Sequence, residues 1–188
     1  MRIVLIIAAI ILAIIYAFSK TETAITNKYE VLKKINNIEI RQYKESVNAS
    51  YYSDAEGERN NYFKSLASYI FGENSENESI SMTSPVTMRL HGNKEMIFRM
   101  PDKYSLESLP ESNNPDINFF VIPPCTKAAI GYSGYSNIRI EARKIAELKK
   151  ILLENNITHN DKFEVLVYNS PYKILNRRNE ITVNITYP

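Results

Sequence analysis

The sequence predicts an α+β chain in which strands and two amphipathic helices recur as two similar halves behind a membrane-directed N-terminal segment. Three observations predict it. Apolar residues alternate at strand spacing through Tyr29–Ile35, Ile38–Tyr43 and Ser46–Tyr52, and strand-like runs return from Ile117 onward. Two longer stretches, from Glu56 to Phe71 and from Ser136 to Asn155, switch to helical spacing. Finally, Ser84-Pro85 is echoed by Ser170-Pro171, each after strands, a helix and a polar loop, so the same order is read twice.

Residues 1–19 are read as a membrane anchor or a signal peptide. Ile3 to Phe18 carries no charge and only Arg2 precedes it. As a helix it is about 24 Å long, short of a bilayer core of ~30 Å yet long for the centre of a signal peptide. Ala17 and Ser19 suit a cut after Ser19, whereas the Ile-rich run with Tyr16 near its end favours an uncut anchor, the reading preferred here. Lys20, Lys28, Lys33 and Lys34 outnumber Arg2 and pull the C-terminal side inward; an extracytoplasmic domain is still expected, with export after cleavage as the alternative. Residues 20–28 are a polar linker, and the domain runs over 29–188.

Within that domain, Asn36-Asn37 is a turn dipeptide between the first two strands. In the first helix Phe63, Leu66 and Ile70 form one stripe, with Asp54 suited to cap it and Gly72 to end it. Pro85 has no N–H, so the next strand starts at or after Val86, and Val86–Leu90 pairs with Glu95–Met100 around His91-Gly92-Asn93. Pro101, Pro110 and Pro115 punctuate a connection between the halves whose length hints at function or mobility. Ile117–Ile122 and Thr126–Ser133 are strands around Pro123-Pro124. In the second helix Ile138, Ala142, Ile145, Leu148 and Leu152 share a stripe, with Arg139, Arg143, Lys144, Lys149 and Lys150 on a solvated face. Phe163–Asn169 and Glu180–Tyr187 close the chain as strands.

With 188 residues and 44% hydrophobic content, the chain can bury a core without disulfides or structural metal, and the single Cys125 admits no internal bridge. A net charge of +2, with no basic run, excludes the footprint of a nucleic-acid binder.

Five short motifs in order, Tyr29-Glu30-Val31, Ile38-Glu39-Ile40-Arg41-Gln42-Tyr43, Tyr69-Ile70-Phe71-Gly72, Met82-Thr83-Ser84-Pro85-Val86 and Arg177-Arg178-Asn179-Glu180, resemble the SOUL heme-binding protein family over nearly everything after Tyr29. The resemblance implies a distorted antiparallel β-barrel made of two strand-helix-strand-strand repeats. It also implies heme or another tetrapyrrole as cofactor, lying in an apolar cleft against the first helix with basic side chains meeting the propionates. On the family pattern Lys173 is the foremost candidate for that contact and Arg59 a second, displaced by one position. Phe63, Leu66 and Ile70 are the candidate apolar wall, although such a stripe is also what ordinary core looks like.

His91 and His159 fall in polar turns, so heme is expected without a histidine on iron; Cys125, Tyr62 and Tyr69 are read as structural. Arg177 and Arg178 are read mainly as partners for Glu180, and the hydroxyls of Thr83 and Ser84 as turn stabilisers with at most a polar rim role. No Ser/His/Asp or Cys/His set and no metal-ligand spacing supports catalysis, and no enzymatic activity is expected. The alternatives are a general small-molecule binding module of the gyrase-inhibitor-like type, or a hydrolase on that fold using Glu39, Glu45 or Glu164 with tyrosines.

Overall fold

The computed structural model describes residues 28–52, 59–93, 95–170 and 172–187, with 59–61 described by their backbone alone. The chain divides into two units, Met1–Glu30 and Val31–Pro188. The apolar segment Ile3–Phe18 and the Asp54 cap lie outside the described residues, among which no helix is long and apolar enough to cross a membrane.

Among the described residues ten strands and two helices follow in order: β1 (Tyr29–Ile35), β2 (Ile38–Tyr43), β3 (Ser46–Tyr51), α1 (Arg59–Ile70), β4 (Val86–Arg89), β5 (Met96–Arg99), β6 (Ile117–Ile122), β7 (Cys125–Ser133), α2 (Ile138–Glu154), β8 (Thr158–His159), β9 (Glu164–Val167) and β10 (Arg178–Thr186). Sequence chemistry accounts for their ends. Asn36 takes a φ of 52° in the β1–β2 turn, a left-handed conformation asparagine tolerates. The Asn137 side chain accepts the Ile140 N–H at 3.0 Å and caps α2. Both helices finish in the same motif. In α1 the Glu73 N–H returns to the Ser68 carbonyl at 2.9 Å with Gly72 at φ 112°; in α2 the Ile157 N–H returns to Leu152 at 2.9 Å with Asn156 at φ 55°.

The strands form one sheet in the order β1-β2-β7-β10-β9-β4-β5-β3-β6, with β8 on β10. Each half contributes a three-strand block, β3-β5-β4 and β7-β10-β9, and the blocks meet where Val86 faces Val167 in the β4–β9 ladder. One strand of each half pairs with the other half: β2 pairs β7, and β6 pairs β3. The duplication is therefore real, but the Ser-Pro echo does not mark equivalent places. Ser84-Pro85 precedes β4 while Ser170-Pro171 follows β9 in the sequence, and Ser84 Oγ donates to the Tyr168 carbonyl at 3.1 Å.

The expected barrel is not closed. No ladder joins β1 to β6 among the described residues. β1 is an edge with five of its seven residues exposed, Lys33 and Lys34 among them, and β6 runs into Pro123-Pro124, which offer no N–H to a further partner. The sheet is nevertheless strongly curved, since the Arg89 guanidinium on β4 lies 5.4 Å from the Phe120 ring on β6, reaching across β5 and β3.

Two apolar clusters cover one face. α2 lays Leu148, Ile151 and Leu152 on Ile38, Ile40, Ala128, Ile130, Val165, Ile181 and Val183. Its first turn overhangs, leaving Ile138 exposed, so the predicted stripe reaches the core only from Ile145 onward. α1 lays Tyr62, Leu66, Tyr69 and Ile70 on Ala49, Tyr51, Phe98 and Ile117. The inter-half connection is pinned and not loose: Ser75 N–H donates to the Glu111 carbonyl at 2.9 Å, and the Tyr69 hydroxyl to the Pro110 carbonyl at 2.9 Å.

Candidate functional site: a seam between the helices

α1 lies over β3 and β5, and α2 over β7, β8 and β10, so the two central strands β4 and β9 run beneath the gap between them. The floor of that gap is apolar by strand alternation: Val86 and Met88 from β4 and Val167 from β9 point to the helix face and stay half-buried. Met88 touches both clusters. Phe63 flanks the floor from α1, half-buried and edge-on to Phe98 at 5.5 Å between ring centres, and Phe98 lies one residue past the Thr87–Ile97 pair on the side of Val86.

Beyond Val167 the chain leaves the sheet as the loop of residues 168–177, at the Val86 end of the seam. Its tip exposes apolar side chains: Tyr172 is 91% exposed, Ile174 74% and Leu175 76%, with the exposed Lys173 among them. Three exposed large side chains within four residues form a patch that a soluble surface does not ordinarily present. Arg177 holds the loop in shape. It is buried, its Nη1 donates to the carbonyls of Ser170 at 2.7 Å and Lys173 at 2.8 Å, and its guanidinium stacks 4.4 Å from the Tyr135 ring.

The five predicted site residues are thus divided. Lys173 and Phe63 stand at the same end of the seam. Leu66 and Ile70, 0% and 1% exposed, face the sheet and are core, so the α1 stripe proper is closed by the protein's own side chains. The side chain of Arg59 lies outside the described residues; its backbone opens α1. The seam itself escaped the sequence reading, because Val86, Met88 and Val167 look like any core strand until the separation of the two helices is known.

The opposite face of the sheet carries the buried charges. Arg41 donates to both oxygens of Glu180 at 2.7 and 3.0 Å, and Tyr168 donates to the same carboxylate at 2.7 Å. Burial alone would raise the Glu180 carboxyl, but these bonds and the Arg41 charge hold it below the ordinary range. Lys127 pairs with Glu164 at 2.5 Å and Arg178 with Glu180 at 2.8 Å. Glu39 and Glu164 are therefore tied to cations, and Glu45 stands exposed on the turn before β3. Arg178 takes the expected structural role beside Glu180, and Arg177 a different one in the loop. Thr83 Oγ1 donates to the Arg99 carbonyl at 2.6 Å, so both loop hydroxyls serve the backbone.

Among the described residues no His/Cys/Asp/Glu group could hold a metal ion. His159 packs on Phe163, and His91 follows β4 at the end of the seam away from Lys173. Burial pushes the Cys125 thiol up, and burial first, then nearby phenolic and carboxylate charges, pushes the Tyr69 hydroxyl up to about 12. Two cavities are found among the described residues, apart from the floor of the seam. One of about 350 Å³ beside α1 is lined by Lys64, Ser65, Ser68 and Asn114 and is polar, unlike a porphyrin slot; the other, of about 280 Å³, lies beside Arg99.

The family model described as SOUL heme-binding protein matches residues 25–184. No curated protein matches the chain. Among solved structures, a hydrolase from Listeria innocua is similar at a TM-score of 0.60 and 10% identity, over 82% of this chain and 94% of that one. The C-terminal domain of EcmrR is similar at 0.57 and 13%, over 85% and 99%. At such identities the likeness is one of fold.

Proposed function

The chain belongs to the SOUL heme-binding protein family, and from that membership we propose that it binds heme or a related tetrapyrrole in the seam between α1 and α2. A porphyrin is a flat apolar plate with two carboxylates on one edge, and needs an apolar slot with cations at its rim. The observation that carries the reading is the half-buried floor of Val86, Met88 and Val167, which opens at one end onto the exposed loop bearing Lys173. Phe63 would meet one face of the plate, Tyr172, Ile174 and Leu175 its open edge, and Lys173 a propionate, with Arg59 at the start of α1 as second cation. Leu66 and Ile70 support Phe63 from behind. Heme supplies its iron and macrocycle; the chain's own residues orient it and exclude water from one face. Without a histidine in the seam, binding rests on burial and charge and is exchangeable.

The apolar segment Ile3–Phe18 supports attachment of the domain to a membrane, and in this reading the domain is extracytoplasmic and binds its ligand without turning it over. Pelleting with membranes at full mass distinguishes an uncut anchor from export after cleavage.

Titration of the full-length protein in detergent with hemin, followed at the Soret band, tests the binding. A saturable one-to-one shift is expected. Ile174→Glu, on an exposed side chain that folding does not need, lowers affinity at least tenfold, and Lys173→Ala about threefold, in line with a partly screened charge pair. Broadening without saturation, or full affinity in Ile174→Glu, overturns the seam as the site.

A further inference from the structure

We propose that the cavity beside Arg99 is a binding site for a small oxyanion, a carboxylate or phosphate group, held by the Arg99 guanidinium. This site is separate from the floor of the seam: none of Phe63, Val86, Met88 and Val167 lines it, and Arg99 reaches it from the end of β5. The cavity measures about 280 Å³ and is walled by Lys44, Ser46, Val47, Pro101 and Tyr104.

The guanidinium is mostly buried, with 14% of its side chain exposed, yet spends little of its donor capacity. Nη2 donates to Asp102 Oδ1 at 2.9 Å and, at a long 3.4 Å, to the Glu45 carbonyl. Nε is buried without a hydrogen-bond partner, and Nη1 donates to no group among the described residues. Arginine carries five N–H donors in a planar fork, and buried donors are almost always satisfied, so the idle buried Nε–H, with Nη1 beside it, calls for an acceptor at the wall of the cavity.

The acceptor now nearest is a poor one. Asp102 offers one oxygen to one nitrogen and is 73% exposed, the kind of pair that water and salt weaken. A ligand with two oxygens in fork geometry gains a second charge-assisted bond and displaces it. Lys44, exposed at the rim and without an ion pair among the described residues, adds attraction. Glu45 at the same rim opposes highly charged ligands, and the cavity volume limits the site to small ones.

Full-length ¹⁵N-labelled protein in non-ionic detergent, titrated with inorganic phosphate or acetate against chloride at equal ionic strength, tests this through the Arg99 Nε–H and the Glu45 and Ser46 amide resonances. We expect saturable shifts with phosphate or acetate and none with chloride; whichever responds names the source. Asp102→Asn removes the internal competitor and tightens binding at least threefold, while Arg99→Lys, which keeps the charge but loses the fork, weakens it tenfold or more. Shifts that follow ionic strength alike for all three anions, or an Asp102→Asn variant that binds no tighter, overturn the proposal. Asp102→Asn decides alone should Arg99→Lys not fold.

Discussion

Arg41 is 4% exposed and Glu180 2%, so neither charge is compensated by water and each depends on the other. Taking Arg41 away leaves the buried Glu180 carboxylate with only Arg178 and the Tyr168 hydroxyl, a loss of about 3 kcal/mol and more than the net worth of the pair. Arg41→Ala should therefore lower the urea midpoint of unfolding sharply, while Lys103→Ala, on an exposed pair with Glu78, should leave it nearly unchanged. The pair also sets an acid limb. Glu180 titrates in the folded protein below its ordinary value of 4.5, so its stabilisation is complete above that pH and is withdrawn as pH falls through the depressed value. Unfolding measured between pH 7 and 3 should show a steep acid loss that Glu180→Gln flattens. The sequence concealed this residue pair, because Glu39, Arg41 and Glu180 alternate with apolar neighbours as solvated strand residues do, and only the β2-β7-β10 order brings Arg41 and Glu180 to one place.

The loop of residues 168–177 shows the same limit one level up. In its sequence the family pattern singles out Lys173. What it does not announce is that Arg177 folds inward to hold three carbonyls, those of Ser170, Lys173 and, at 3.4 Å, Asn169, thereby forcing Tyr172, Ile174 and Leu175 outward. An apolar display kept in place by a buried cation is a pre-organised surface, and its ordering has been met before any ligand arrives. Arg177→Ala should raise amide exchange from Tyr172 to Asn176 while leaving that of β7 and β10 interiors unchanged, and should weaken hemin binding several-fold. Unchanged exchange in that loop would show that Arg177 is not its clamp. Helix ends, by contrast, were legible, since Gly72 and the Asn155-Asn156 pair are residues that admit the left-handed turn a helix needs to stop. The α1 stripe was legible only as a stripe: Phe63, Leu66 and Ile70 share a period, and period alone does not separate a wall facing a ligand from one facing a sheet.

For the whole molecule, the duplication could be read from the recurrence of strands, helix and strands, but not the exchange that joins the halves. β2 completes the block of β7, β10 and β9, and β6 completes that of β4, β5 and β3, so each half contains a strand whose partner belongs to the other. A half on its own would present unpaired edges on both sides of a three-strand block and lose the β4–β9 ladder, leaving too little buried apolar surface to offset the entropy of ordering its chain. The connection from Pro101 to Pro115 crosses between the blocks on the surface and supplies no strand, so breaking it removes a covalent link and no ladder. Fragments 28–100 and 101–188 are accordingly expected to be largely unstructured when made separately and to give the native circular dichroism spectrum when refolded together. Because the floor of the seam takes Val86 and Met88 from one fragment and Val167 from the other, only the mixture should shift the Soret band of hemin. A single fragment that folds cooperatively and binds hemin would mean that the exchanged strands are dispensable and that the site lies within one half.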